Sequence, residues 1–287
     1  MRDWLVEAGA FLREVGDEWS KDDALSLGAA LAYYTIFSMA PLLVLAIAIA
    51  GLVFGRAAAQ GQIVAQIQDQ IGPAAAQTIE GMVARASHPA SGLVATAVSL
   101  ATMAFGASGV FGQLQSSLNR IWDVPRSRGG GIRGQIKKRV TAFGMILGIG
   151  FLLLLSLAAS TALAAVHTLL KRDFPVAGEV LPLTNFAISF GVITILFAMI
   201  LKLLPEVRIE WRDVWLGALV TSLLFSIGKA LIGLYLGRAG VTSVYGAAGS
   251  LVLVLLWIYY SAQLLFLGAE FTEVYSRRYG SRKGEVQ

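Results

Sequence analysis

A chain of 287 residues with no cysteine and two histidines, His88 and His167, has few ways to perform metal or thiol chemistry. A zinc site needs three or four convergent ligands, and neither histidine belongs to an HExxH or HxH pattern. A phosphate loop fails on spacing. Gly228-Lys229 has Leu223 where the first glycine belongs and Ala230 where a Ser or Thr would meet magnesium. Gly129-Gly130-Gly131 follows no strand pattern and reads as a flexible turn. These residues predict no enzyme, no catalytic group, and no bound metal or cofactor.

What remains is a set of polar groups in apolar surroundings. Lys229 lies inside a hydrophobic stretch, about 10 Å from its nearer end at the helical rise per residue, where a central lysine costs about 3 kcal/mol to insert. Either its stem snorkels to the interface, or its ammonium faces a polar cavity and holds an anionic substrate or headgroup. Glu270 sits at the opposite end of a different stretch, roughly 20 Å away in depth. It is expected to pair with a base such as Arg277 or one within 202–213, with proton coupling as the other reading. Pro41 interrupts a third apolar stretch and predicts a kink. Tyr33, Tyr34, Thr35 and Ser38 set hydroxyls beside it. Broken helices of this kind build transport sites, and they also serve packing alone. Gln263, with Trp257, Tyr259 and Tyr260, needs polar or protein-facing surroundings at its tip. Lys229, Pro41, Tyr33, Tyr34, Ser38, Gln263 and Glu270 make up a candidate substrate path.

A second candidate is electrostatic. Arg126, Arg128, Arg133, Lys137, Lys138 and Arg139 crowd the stretch around the glycine run. Anionic lipid headgroups are attracted to such a patch, and a protein partner could use it too. The sequence pI of about 9.6 raises nucleic acid as a partner. No aromatic residues interleave with these bases to stack on a single strand, so membrane lipids are the expected partner and nucleic acid is not.

The elements that must position these groups follow from composition. The chain is 56% hydrophobic, only 14% charged, and has a mean hydropathy of +0.69, whereas soluble domains carry about 25% charged residues. That excludes a disordered chain and a disulfide scaffold, and it leaves too little polar side chain to coat the surface of an ordinary soluble enzyme. Six stretches of about 20 or more apolar residues are long enough to cross a bilayer: 28–54, 92–111, 140–166, 183–203, 214–236 and 247–271. A β-barrel would instead show segments of about 10 residues with alternating polarity. The expected fold is all-α, a polytopic membrane protein of six transmembrane helices forming a single domain over 1–287.

Four extramembrane pieces complete it. Residues 1–27 do not read as a secretory signal. Trp4, Phe11, Val15 and Trp19 recur there at helical spacing, predicting an amphipathic helix on the membrane surface or against the ends of the spans. In 57–91, Ile63, Ile67 and Ile71, then Ile79, Met82 and Val83, predict two short amphipathic helices broken at Gly72-Pro73. The basic loop is 112–139 and the tail 273–287. Seventeen of the 23 Lys and Arg fall in 1–27, 112–139, 202–213 and the tail, against five in the alternate loops. The positive-inside rule then puts both termini in the cytoplasm and 57–91 outside. Pairs four apart, Gly51/Gly55, Gly144/Gly148 and Gly233/Gly237, mark close helix contacts. They serve internal packing or a homo-oligomer seam equally well.

Several segments also agree in order and spacing with a known family. Ala30-Leu-Ala-Tyr-Tyr-Thr-Ile-Phe-Ser-Met-Ala-Pro41 and Phe111-Gly-Gln-Leu-Gln-Ser-Ser-Leu-Asn-Arg-Ile-Trp122 resemble signatures of the YihY/BrkB family of bacterial inner-membrane proteins. Trp211-Arg-Asp, Gly217-Ala218, Lys229, Tyr245-Gly246, Leu256-Trp257 and Gly268-Ala-Glu270 match its later part. The resemblance covers about residues 20–277. It implies a six-span inner-membrane protein with cytoplasmic ends. Members have carried the label ribonuclease BN-like, for which this chain has no catalytic cluster, and some are called virulence factors. Movement of lipids or lipid-linked precursors has been suggested for members, without an agreed substrate, and is consistent with Lys229 and Pro41; a non-enzymatic transporter of an anionic amphiphile is the expected function. A scaffold or binding protein using the basic loop and outer helices is the alternative.

Overall fold

The computed structural model describes residues 2–71, 73–86, 109–125, 144, 177–238 and 249–283. Runs of Leu, Ala, Ile and Val without breakers favour helix, because these stretches can bond their own backbone in hydrocarbon. All regular structure among the described residues is helical. The helices are α1 (Arg2–Lys21), α2 (Ala24–Phe54), α3 (Arg56–Ile71), α4 (Pro73–Ala86), α5 (109–121), α6 (Ala177–Leu203), α7 (Trp211–Arg238) and α8 (Gly249–Arg278).

Four are long and apolar enough to cross a membrane: Ala24–Ala48, Phe186–Leu203, Trp211–Leu231 and Gly249–Arg278. They coincide with the first, fourth, fifth and sixth expected stretches. The second and third, 92–111 and 140–166, lie outside the described residues except at 109–111 and Gly144. The described chain thus holds four candidate spans where six are expected. Residues 112–121, read above as the opening of the basic loop, are helix.

Two reversals set the first half. Asp23 stands before α2 with φ of 56°, a left-handed conformation that a short polar side chain tolerates. Gly55 ends α2 with φ of 82°, its N–H donating to the Gly51 carbonyl at 3.0 Å. The Gly51/Gly55 pair therefore serves a helix end and the turn into α3, not a helix–helix seam. α3 and α4 do not lie free. Ala75, Ile79 and Val83 are buried with Ile47 of α2 and Val254 of α8, flanked by Ile63 and Ile67. The Thr78 hydroxyl donates to Ser250 Oγ at 2.7 Å.

The larger core forms around α5. Leu114, Leu118, Ile121 and Trp122 recur on one face and are buried with Leu31 of α2, Phe197 and Leu201 of α6, Val214 and Ala218 of α7, and Phe266 and Ala269 of α8. The polar face of α5 ties down the next connection. Gln115 Nε2 donates to the Leu204 carbonyl at 3.1 Å, and Asn119 Oδ1 accepts from the Glu206 N–H at 2.8 Å.

α7 and α8 meet through a reciprocal pair of glycines and threonines. A Cβ added at Gly217 would stand 2.8 Å from Thr272 Cβ, and one added at Gly268 would stand 2.8 Å from Thr221 Cβ. Each threonine is four residues beyond its own helix's glycine and donates its hydroxyl to that glycine's carbonyl, Thr221 to Gly217 at 2.7 Å and Thr272 to Gly268 at 2.6 Å. Each helix thus offers a notch and a knob, and the knob's polar atom is satisfied within its own helix. Small residues allow this approach where lipid-exposed helices gain little from hydrophobic association.

Candidate functional site

The glycine–threonine contacts fix the depth of every group on α7 and α8. Gly217 faces Thr272 and Thr221 faces Gly268, so the helices run antiparallel. Further along, Gly228 faces Tyr260 and Leu264, whose Cδ1 lies 2.8 Å from an added Cβ. Lys229, half-buried, is therefore level with Tyr260. Gln263, one turn beyond Tyr260, turns toward α2. Its Nε2 donates to the Ala24 carbonyl at 3.2 Å and its amide packs on Gly28. Three side-chain oxygens on these helices are buried with no hydrogen-bond partner among the described residues: Ser222 Oγ, Ser261 Oγ and Gln263 Oε1. Both carboxyl oxygens of Glu270 share that condition.

On α2 the helix continues through Pro41, where the missing N–H leaves the Phe37 carbonyl without its usual intrahelical donor. Ser38 is buried, while Tyr33, Tyr34 and Phe37 are exposed. Their rings touch, Tyr33 to Phe37 at 4.8 Å and Tyr33 to Tyr34 at 5.8 Å between centroids. Gly109, the first described residue of α5, lies against the Tyr34 ring and Ser38 Oγ. The candidate path is thus strung along the bundle and not gathered in one pocket. Lys229 and Gln263 lie about one helical turn apart in depth, Pro41 lies toward the α3–α4 end, and Glu270 is about 15 Å from the level of Lys229 at the helical rise over ten residues. Arg126, Arg128, Arg133, Lys137, Lys138 and Arg139 fall outside the described residues, as do His88 and His167.

Glu270 departs from its expected ion pair. Arg277 contacts Glu14 at 2.9 Å, Glu18 at 3.3 Å and Glu273 at 3.8 Å. Glu273 is four residues before Arg277, the spacing that brings helical side chains together, whereas Glu270 is seven before it. The bases of 202–213 are also not its partners. Lys202 donates to the Ile209 carbonyl and lies over the Trp211 ring at 5.5 Å, and Arg208 and Arg212 are exposed.

This charged end holds contacts that sequence reasoning missed. Arg277 and Arg278, the latter 3.3 Å from Glu14, clamp α1 to the end of α8, and the Tyr279 hydroxyl donates to Glu7 at 2.7 Å. Beneath the clamp, Phe11 meets Phe271 edge-on at 5.1 Å, and Val15 packs with Val274. Buried Asp213, at the start of α7, accepts the Ser281 N–H at 2.8 Å and its hydroxyl at 2.6 Å. That pins the turn after α8. Asp22, between α1 and α2, is buried 3.9 Å from Arg120 of α5. Burial first, then the carboxylate of Asp123, pushes its carboxyl above the usual aspartate range against the pull of Arg120 and Lys21. Among the described residues no three His, Asp or Glu side chains converge to hold a metal ion.

Comparison with known proteins adds the following. The family model described as virulence factor BrkB matches residues 15–287. A UPF0761 membrane protein of Pseudomonas paraeruginosa is 27% identical over 272 residues, covering 94% of this chain and 63% of that protein. One from Ralstonia nicotianae is 29% identical over 277 residues, covering 94% and 59%. One from Pseudoalteromonas translucida is 25% identical over 276 residues, covering 93% and 88%. The chain therefore spans about three fifths of the length of the Pseudomonas and Ralstonia relatives. No solved structure matches it.

Proposed function

The chain belongs to the virulence factor BrkB family of membrane proteins, and from that premise we propose that it is a non-enzymatic translocator of an anionic amphiphile, such as a lipid. It works as a multi-pass protein of the bacterial inner membrane with both termini in the cytoplasm, the side favoured by its Lys and Arg bias. The observation that carries this reading is the polar layer inside the bundle. Half-buried Lys229 is level with Tyr260, within one helical turn of the Ser261 and Gln263 oxygens, which are buried with no hydrogen-bond partner among the described residues.

An unsatisfied polar atom in hydrocarbon costs several kcal/mol. A helix bundle keeps such atoms where a polar ligand or water meets them, and intramembrane ionisable residues mark pathways for that reason. Lys229 supplies the cation for a phosphate or carboxylate headgroup, and the amide and hydroxyls supply hydrogen bonds. The exposed rings of Tyr33, Tyr34 and Phe37 offer an aromatic surface on α2. Such rings suit a molecule that is apolar at one end and wet at the other.

Native mass spectrometry of the detergent-purified protein tests the headgroup site. Wild type is expected to retain a defined anionic lipid, and Lys229→Ala to retain about tenfold less, a loss of ~1.4 kcal/mol. Equal, non-selective lipid on both proteins would make Lys229 a snorkelling residue. The basic residues Arg126 to Arg139 would then lead as a scaffold or partner surface.

A further inference from the structure

Glu270 is 0% exposed, and among the described residues neither of its carboxyl oxygens has a hydrogen-bond partner. Its depth can be placed. It lies midway between Gly268 and Thr272, the two α8 residues that meet Thr221 and Gly217, so it is level with Leu219 of α7. On the outside of α7, Trp211 and Trp215 are exposed with ring centroids 6.5 Å apart, and Leu219, Leu223, Ile227 and Leu231 continue the exposed stripe every fourth residue. Two indoles leading into an aliphatic stripe have the pattern of an interfacial belt followed by a lipid-facing surface. Glu270 is thus one helical turn, about 6 Å, inside the belt and on the protein side of the bundle.

A bare carboxylate at that position is costly, and among the described residues the nearby bases are engaged elsewhere. Arg277 is held by Glu14, Glu18 and Glu273, Lys21 by Glu18 at 2.8 Å, and Arg120 lies 3.9 Å from Asp22. Arg282 lies 3.9 Å from Glu273 and 5.6 Å from the Trp122 ring. The charges within electrostatic reach of Glu270 include the carboxylates of Glu18 from α1, Asp22 from the α1–α2 turn, Asp123 after α5 and Glu273 from α8. On α7, Asp213 is occupied by Ser281. Additional negative charge in such company is disfavoured, and a metal ion would need several convergent ligands. A proton needs one.

We propose that Glu270 is a proton-binding site inside the bundle, loaded from the charged end by way of Asp22. Asp22 is itself 8% exposed and stands where α1 meets α2, beside the more exposed Glu18 and Lys21. A proton arriving from water forms an O–H bond on Asp22, and transfer to Glu270 breaks that bond and forms one on a Glu270 oxygen. Release reverses the two steps, and no other bond changes. Whether the site drives movement of a substrate depends on the transport reading, but the binding of the proton does not.

The test is infrared spectroscopy of the full-length protein carrying glutamate labelled with carbon-13 at its side-chain carboxyl. At neutral pH, wild type is expected to show a protonated-carboxyl stretch that shifts with the label and bleaches on alkalinisation. The band should vanish in Glu270→Gln and survive in Glu273→Gln. Its hydrogen–deuterium exchange should slow about tenfold or more in Asp22→Asn. Absence of any label-sensitive protonated carboxyl in wild type overturns the proposal without requiring a variant to fold. Loss of the band in Glu273→Gln, or its persistence in Glu270→Gln, assigns the proton elsewhere. An unchanged exchange rate in Asp22→Asn removes Asp22 as the route.

Discussion

Gly268→Val is expected to keep α7 and α8 from closing, leaving a protein that inserts but loses its native packing. Even the alanine variant puts a Cβ 2.8 Å from Thr221 Cβ and 2.9 Å from its Cγ2. These are branch atoms of a stiff side chain whose hydroxyl is bonded to its own helix, so they cannot swing aside. The helices must separate. Overpacking of a fitted contact costs about 1–3 kcal/mol, and valine adds two further carbons to the same contact, so its effect should exceed that range. Gly217→Val should behave alike against Thr272. Thermal unfolding in detergent checks both. Thr221→Gly should recover much of the loss in Gly268→Ala, because it turns the knob into the notch. Gly191→Ala, with none of the described residues within 4 Å of its added Cβ, should be neutral or slightly stabilising. Equal, small effects at all three glycines would contradict the packing described here.

The second large effect is expected at Arg277. Its guanidinium is the shared partner of Glu14, Glu18 and Glu273, and the Glu273 side chain is only 4% exposed. Removing one member of a buried pair costs about 3–5 kcal/mol, mostly because the remaining charge is stranded. The arginine side chain is 21% exposed, so Arg277→Ala should cost somewhat less, about 2–3 kcal/mol on the same scale. The damage should be local. α1 is held to α8 by this cluster, by Arg278 and Tyr279, and by Phe11 and Val15 beneath them. Limited proteolysis should release α1 from Arg277→Ala while the rest of the chain stays protected. Adding Glu273→Gln should restore part of the stability, since the stranded charge goes with it. If Arg277→Ala keeps α1 protected and its Tm unchanged, the apolar contacts alone hold the helix.

These contacts show which parts of the molecule can be read from sequence. Hydrophobic length and helical spacing are local properties, and they locate α1, the α3–α4 break at Gly72-Pro73 and the spans at α2, α6, α7 and α8. The seam between α7 and α8 was not legible. Its pattern is Gly-x-x-x-Thr on each helix, and only the tertiary register shows that each threonine seats on the other helix's glycine. Gly51 and Gly55 have the spacing of a seam and make a turn instead. In α5, Leu114, Leu118 and Ile121 recur at helical spacing, while the dense positive charge just beyond them gives 112–139 the composition of a loop. Glu270 was singled out as an intramembrane acid. Its lack of a partner depends on Arg277 turning to α1, whose glutamates lie some 260 residues away in the chain. Asp213 and Ser281 are likewise remote in sequence, so their hydrogen bonds follow from the fold alone.

Leaflet exchange in sealed proteoliposomes tests the central claim most directly. An anionic lipid with a fluorescent acyl chain is incorporated, and a reductant added outside quenches only the outer leaflet. The transport account predicts that vesicles containing wild type lose fluorescence well beyond the level of protein-free vesicles. Lys229→Ala, with wild-type thermal stability, should approach the protein-free level, and a zwitterionic probe should exchange more slowly than the anionic one. Wild-type vesicles that protect their inner leaflet as fully as empty ones would contradict translocation.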